Sequence, residues 1–277
     1  MNPAARLQRR IQRYGWDLAA AGYDALWQSQ LAPAQDRLLA SAALETGEQV
    51  LDVACGTGLV SLRAAREVGP SGSVVGVDLS ATMVEAAHRQ AQARGCANAR
   101  FQRMDAERLE LPDTVFDVAL CALGLMYLPE PEQALREMRR VLRPGGRLVL
   151  AVWGERVRCG WAALFGIVDA EVASEVCPLF FRLGAADTLA RLCAQARFDR
   201  VEERRISVTL RYADADEACR AAFVGGPVAL AWSRFSARTR ARVCERYLEA
   251  IAPWRDSFGY KIPGEFVIVS GAATIRV

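Results

Sequence analysis

The sequence predicts an α/β protein built on a doubly wound, mostly parallel seven-stranded sheet with a helical cap. Strand-like runs alternate with helical patterns from residue 48 to about 153, the order in which crossover helices join parallel strands. Two further strand-like runs follow, separated by about fifty residues where a hairpin needs only a few, so a helical insertion must lie between them. With 277 residues and 52% hydrophobic content, the chain can bury a sizeable core in one such domain with an elaboration.

The first five strands are expected at Gln49 to Val53, Ser73 to Asp78, Arg100 to Met104, Val115 to Cys121 and Arg147 to Trp153. Helices are expected between them at 57 to 67, 80 to 94 and 131 to 141. Ser80 suits the cap of the second, Gly95 its end, and Pro131 the first turn of the third. Arg143-Pro144-Gly145-Gly146 reads as a tight turn into the fifth strand. Beyond it, Gly160 to Ala173 and Asp187 to Ala196 read as helices and Val201 to Tyr212 as an alternating strand. Helices at 214 to 222 and 237 to 250 precede a last strand at Phe266 to Ser270. The expected division is therefore amino-terminal cap helices over 1–45, a core over 46–153 and a lid segment over 154–184. A core continuation over 185–212, a helical cap insertion over 213–264 and the last core strand over 265–277 complete it.

Composition narrows the function. A net charge of +3 on scattered basic residues does not imply nucleic acid, and Arg6, Arg9, Arg10 and Arg13 read as the wet face of a helix. Lys261 is the only lysine, a bias that points to a GC-rich bacterial genome. Eight cysteines without a Cys-x-x-Cys pair, and the single His88, offer no zinc site and read as reduced apolar residues. No secretory pattern and no run near the ~20 apolar residues of a membrane span is seen, so a cytoplasmic protein is expected, with a homodimer possible.

Val50-Leu51-Asp52-Val53-Ala54-Cys55-Gly56-Thr57-Gly58 carries a buried strand into a tight glycine turn with a carboxylate at its end. Such glycines let a ligand approach without meeting a β-carbon, and the helix that follows points amide N–H groups at it. Asp78 ends the second strand twenty residues after Gly58, the position from which a carboxylate accepts hydrogen bonds from both hydroxyls of a ribose. Asp105 follows the third strand, where it can accept from an exocyclic adenine amine while the Ala106 N–H donates to a ring nitrogen. Asp52 can meet an ammonium group. Singly, each aspartate could equally be a helix cap or turn former; three at successive strand ends argue for one site.

These residues resemble the class I S-adenosylmethionine-dependent methyltransferases. The resemblance rests on Leu51 to Gly58, Val75 to Ser80, Asp105 to Glu107 with Leu111-Pro112, Phe116 to Val118 and Leu142 to Leu148, in order and at family spacing. Phe116 to Pro129 and Ala21-Gly22-Tyr23-Asp24 resemble the branch that includes the ubiquinone and menaquinone biosynthesis methyltransferases. The resemblance implies the Rossmann-like methyltransferase fold with S-adenosylmethionine as methyl donor and S-adenosylhomocysteine as product. By the same resemblance, Ala54, Gly56, Thr57 and Gly58 cradle the methionine moiety and Tyr23 closes over that end. Asp78 takes the ribose, Asp105 and Ala106 take the adenine, Leu79 and Met83 pack on the base, and Cys121 and Ala122 flank the sulfonium. Ala54 departs from the family's first glycine, which its methyl group permits if the backbone keeps ordinary dihedrals.

Methyl transfer from a sulfonium is an in-line displacement in which orientation contributes roughly 7 to 11 kcal/mol and a base is optional. No catalytic residue is assigned: His88 is expected to face solvent, and none of Tyr127, Glu155 and Asp169 stands out. Aromatic residues gather in the cap segments, at Tyr14, Trp16, Tyr23, Trp27, Trp153, Trp161, Phe165, Phe180, Phe181, Trp232 and Phe235. They fit an apolar or aromatic acceptor as well as ordinary packing. Arg182 is expected in solvent. The expected function is therefore methyl transfer to an O, C or N atom of a small, apolar or aromatic molecule. The alternatives are a noncatalytic S-adenosylmethionine-binding regulatory or assembly protein and, remotely, a nicotinamide-dependent oxidoreductase. The last is disfavoured by the missing third glycine in Gly56-Thr57-Gly58-Leu59-Val60-Ser61.

Overall fold

Five strands, four of them rich in Val or Leu, form the centre of the sheet in the computed structural model, which describes residues 3–172, 177 and 179–274. They are β1 (Gln49–Val53), β2 (Ser73–Asp78), β3 (Ala99–Arg103), β4 (Phe116–Ala122) and β5 (Leu142–Trp153). All pair in parallel, in the order β3-β2-β1-β4-β5. Helices α2 (Leu59–Val68), α3 (Ala81–Ala93) and α4 (Pro131–Val141) make the crossovers. Ser80 caps α3 by accepting from the Met83 N–H, and Pro131 opens α4. Chain order reverses between β1 and β4, the kind of switch point outside which open α/β sheets bind ligands.

Two long antiparallel strands finish the sheet: β8 (Gly259–Ala273) runs beside β5, and β6 (Phe198–Tyr212) lies outside it. With the two-residue β7 (Arg255–Asp256) paired to β8, the seven principal strands gain an eighth short one. β6 alternates charged and half-buried residues, Glu202-Glu203-Arg204-Arg205 among them, which suits an edge strand. Between β6 and β8 lie α7 (Ala215–Phe223), α8 (Ala229–Arg234) and α9 (Ala237–Ile251); α5 (Ala163–Asp169) and α6 (Thr188–Gln195) precede them.

Four expectations need correcting. The amino-terminal cap is one helix, α1 (Pro3–Ala42), that continues through Pro33; at ~1.5 Å per residue it is about 60 Å long. Its buried stripe of Leu26, Trp27, Leu31, Ala34, Leu38 and Leu39 packs on the core and outweighs the lost proline N–H bond. The helix expected over Gly160 to Ala173 is confined to α5, and Ala173 lies outside the described residues. Arg143 to Gly146 is not a separate turn but a bulge within β5: Leu142 pairs with Phe116 and Arg147 with Val118. The last strand begins at Gly259, before the expected boundary at 265; residues 1–2 and 275–277 of the expected terminal segments lie outside the description, as do 173–176 and 178 of the lid segment.

Candidate active site

One cavity opens at the carboxyl ends of the parallel strands, roofed by α1 and the cap helices. The β1 turn brings Ala54 and Gly56 to its wall, the end of β2 brings Val77, Asp78 and Leu79, and α3 brings Met83. Met104, Asp105 and Ala106 follow β3; Ala122 ends β4, and Leu123 and Gly124 follow it. From the other side come Trp16, Tyr23, Trp27 and Leu31 of α1, with Tyr127, Trp153, Trp161, Phe180, Tyr212 and Tyr247.

The β1 turn is built for close approach. Gly56 has φ +54°, and a β-carbon there would meet nothing within 4 Å, leaving an open cradle beside Asp78. Its amide donates to Asp78 Oδ2 at 2.9 Å, and the Ser80 amide donates to Oδ1 at 2.9 Å. Burial raises the Asp78 pKa above the usual carboxylate value, with these two amides pulling the other way. Each oxygen keeps a second lone pair for a donor in the cavity.

Ala54 corrects the sequence reading: its φ is +56°, the left-handed region, not ordinary dihedrals. Leu123, after β4, is left-handed too at +63°. Such backbone costs an L-residue roughly 1 to 2 kcal/mol and concentrates at functional sites. Gly124 makes Ala54 possible, because a β-carbon on Gly124 would stand 2.3 Å from the Ala54 methyl.

Asp52, Thr57, Gly58 and Cys121 are not on the cavity wall. Asp52 is 1% exposed beneath the turn. Ser61 Oγ donates to its Oδ2 at 2.5 Å, Oδ1 has no partner, and burial pushes its pKa up to about 7. Thr57 is buried, its hydroxyl donating to Asp24 of α1 at 2.5 Å. Gly58 caps α2 with φ +85°, packed so that a β-carbon would lie 3.2 Å from Ala87 and Phe101. Cys121 is fully buried, its thiol pushed up to about 12 by that burial.

Arg9 corrects another reading. Arg6 and Arg10 are exposed and Arg13 is partly so, but Arg9 turns inward and lines the cavity. Its guanidinium pairs with Asp105 at 3.3 Å, with Glu130 at 3.3 Å and, more closely, with buried Glu107. Burial raises the Asp105 pKa and Arg9 offsets part of the rise. Asp17 accepts from Ser80 Oγ at 2.5 Å, so α1 is tied to the turns after β1, β2 and β3 alike. The missed signal was positional: Arg9 shares one helical face with Gln12, Trp16, Tyr23, Trp27 and Leu31. Tyr212 and Tyr247 were also missed, since neither sits in a recognisable motif.

The roof is a continuous aromatic cluster. Trp16 meets Tyr23 and Tyr127 edge-on at 5.8 and 5.1 Å; Trp153 meets Trp27 at 6.3 Å and Trp161 at 4.8 Å. Phe180 touches Tyr127, Trp161, Phe165 and Phe181. Burial raises the Tyr127 pKa well above the usual phenol value. Glu155 and Asp169 are not on the wall; Glu155 accepts from the Ala186 amide at 3.3 Å. His88 is exposed, its Nε2 3.0 Å from the Phe101 carbonyl, and Arg182 pairs with Glu132 at 2.9 Å. Trp232 stacks on Phe223 at 4.8 Å, away from the wall. Among the described residues no cluster of His, Cys, Asp or Glu is arranged to hold a metal ion, and no helix is long and apolar enough to cross a membrane.

Residues 50–146 match the family model for a methyltransferase domain. The chain resembles the class I S-adenosylmethionine-dependent methyltransferases of the ubiquinone and menaquinone branch. It is 39% identical over 135 residues to the ubiquinone/menaquinone biosynthesis C-methyltransferase UbiE of Hahella chejuensis, covering 48% of this chain and 51% of that protein. The chain thus spans about half the length of the curated relatives it matches. Among solved structures it is similar to the [4+2]-cyclase SpnF, with TM-score 0.60, 25% identity, and 88% of this chain and 81% of that one covered. The YcgJ protein of Bacillus subtilis shares the fold, with TM-score 0.61 at 20% identity over 89% of this chain and all of that one.

Proposed function

We propose that the protein transfers a methyl group from S-adenosylmethionine to a small, apolar or aromatic acceptor by in-line displacement. The observation that carries this reading is the division of one cavity. Its sheet side presents an open glycine cradle and two carboxylates at the ends of adjacent strands; its cap side presents aromatic rings. The residues fit the donor. Gly56 leaves room for the methionine end, Asp78 has lone pairs for the ribose hydroxyls, and Asp105 with the Ala106 amide suits the adenine edge. Leu79 and Met83 supply an apolar wall for the base, and Ala122 and Tyr23 border the reacting end. The orphaned Asp52 Oδ1 beneath the turn favours a nearby positive charge. When bound, S-adenosylmethionine supplies a methyl group already activated on a cationic sulfur. The chain's part is to hold that group in line with the acceptor and to exclude water behind α1.

The cap side of the wall carries no carboxylate, histidine or lysine among the described residues, so the proposed chemistry uses an acceptor atom that needs no protein base. A binding protein that transfers no methyl group is the second reading, favoured by the likeness to a protein named a cyclase. Incubation with methyl-labelled S-adenosylmethionine and a metabolite extract decides between them. A labelled small molecule supports transfer, and donor binding without any labelled product under broad conditions supports the second reading.

A further inference from the structure

Two partly exposed thiols meet in the cap. Cys219 lies on α7 and Cys244 on α9, helices that pack side by side, and the Cys219 thiol donates a hydrogen bond to the Cys244 sulfur. Phe223, one turn on from Cys219, meets Tyr247, one turn on from Cys244, edge-on at 5.5 Å. That ring contact fixes the register of the two helices and, with it, the pairing of the thiols. Of the other six cysteines, Cys55, Cys121, Cys159, Cys177 and Cys193 are buried, while Cys96 lies partly exposed between α3 and β3.

Facing thiols that solvent can reach are open to thiol–disulfide exchange. Burial raises both thiol pKa values, and for Cys244 the hydrogen bond from Cys219 offsets part of the rise, so Cys244 ionises first. Its thiolate attacks a small disulfide, forms a mixed disulfide and releases one thiolate. Cys219 gives its proton to that thiolate, attacks the Cys244 sulfur and releases the second. Two cysteines are oxidised to one S–S bond, and the small disulfide is reduced to two thiols that carry the two cysteine protons.

We propose that Cys219 and Cys244 form a reversible disulfide with oxidised glutathione or a similar small disulfide as oxidant, stapling α7 to α9 where the cap closes over the cavity. The bond ties together the ends of segment 219–244, α8 included, and stiffens the part of the wall that carries Ala222 and Tyr247. The inference holds whichever ligand the cavity takes.

Incubating the full, folded chain with oxidised glutathione at mildly alkaline pH tests it, in a Cys96→Ser background that removes the third partly exposed thiol. The expected product has lost two hydrogens by intact-mass spectrometry, and tryptic mapping joins peptide 212–220 to peptide 243–246. Dithiothreitol is expected to restore the starting mass. Oxidation is expected to raise the melting midpoint by about 5 °C. Adding Cys219→Ser or Cys244→Ser is expected to abolish both the linkage and the rise, and melting curves of the reduced variants verify that they fold. Thiols that stay free, glutathione left on both Cys219 and Cys244, linkage to another cysteine, linkage only in urea, or an unchanged melting midpoint in the linked chain overturns the proposal.

Discussion

The two sides of the cavity are built by different means. The sheet side comes from short turns after consecutive strands, where Ala54, Asp78, Asp105 and Ala122 reach the wall from motifs contiguous in sequence. The cap side is assembled from Trp27, Trp153, Trp161, Phe180, Tyr212 and Tyr247, which lie on segments far apart in the chain. The sheet side is polar, strained and titratable; the cap side is aromatic and keeps its protons. A site for a fixed donor can be written in local turns, whereas the cap side depends on tertiary packing and is free to differ in sequence.

Acid–base behaviour should separate the two sides most. The folded pKa of Asp52, about 7, lies above its ordinary value of 3.8 because of burial. The folded state therefore holds the proton more tightly, and stability falls as pH rises from about 4 to about 7, then levels off. The full span is worth about 4 kcal/mol. Asp52→Asn should remove this decline in urea melts taken across that range, while Tyr247→Phe should leave it in place. A wild-type profile that falls no more steeply than that of the Asn variant would show that burial does not raise the Asp52 pKa.

Backbone strain gives the next effect. Gly124→Ala should cost about 2 to 3 kcal/mol in urea denaturation, because the new methyl meets that of Ala54. Adding Ala54→Gly should restore most of the loss, a coupling that independent sites would lack. The smallest effect belongs to the cap: Phe180→Leu should cost about 1 kcal/mol, with S-adenosylhomocysteine affinity held within twofold. A large loss of that affinity would join the two sides into one cooperative unit.

Where local chemistry decides, the sequence was legible. The strands from Gln49 to Trp153, the Ser80 cap and the strand-end aspartates follow from turn residues and period. Where packing decides, it was not. Pro33 looks like a helix breaker, yet the stripe from Leu26 to Leu39 carries α1 through it. Arg9 looks like its exposed neighbours, and only a fold that brings Asp105, Glu107 and Glu130 beneath α1 turns it inward. Ala54 gives no sign of its left-handed backbone, because the space it needs is supplied by Gly124, seventy residues on.

Calorimetric titration of S-adenosylhomocysteine into the wild-type chain and Asp78→Ala, with NADH as the control ligand, tests the assignment of the sheet side most directly. Saturable binding to the wild type, a loss of about 100-fold or more in the variant, and no binding of NADH are expected. Binding of NADH without S-adenosylhomocysteine, or equal affinity in the two chains, would contradict it.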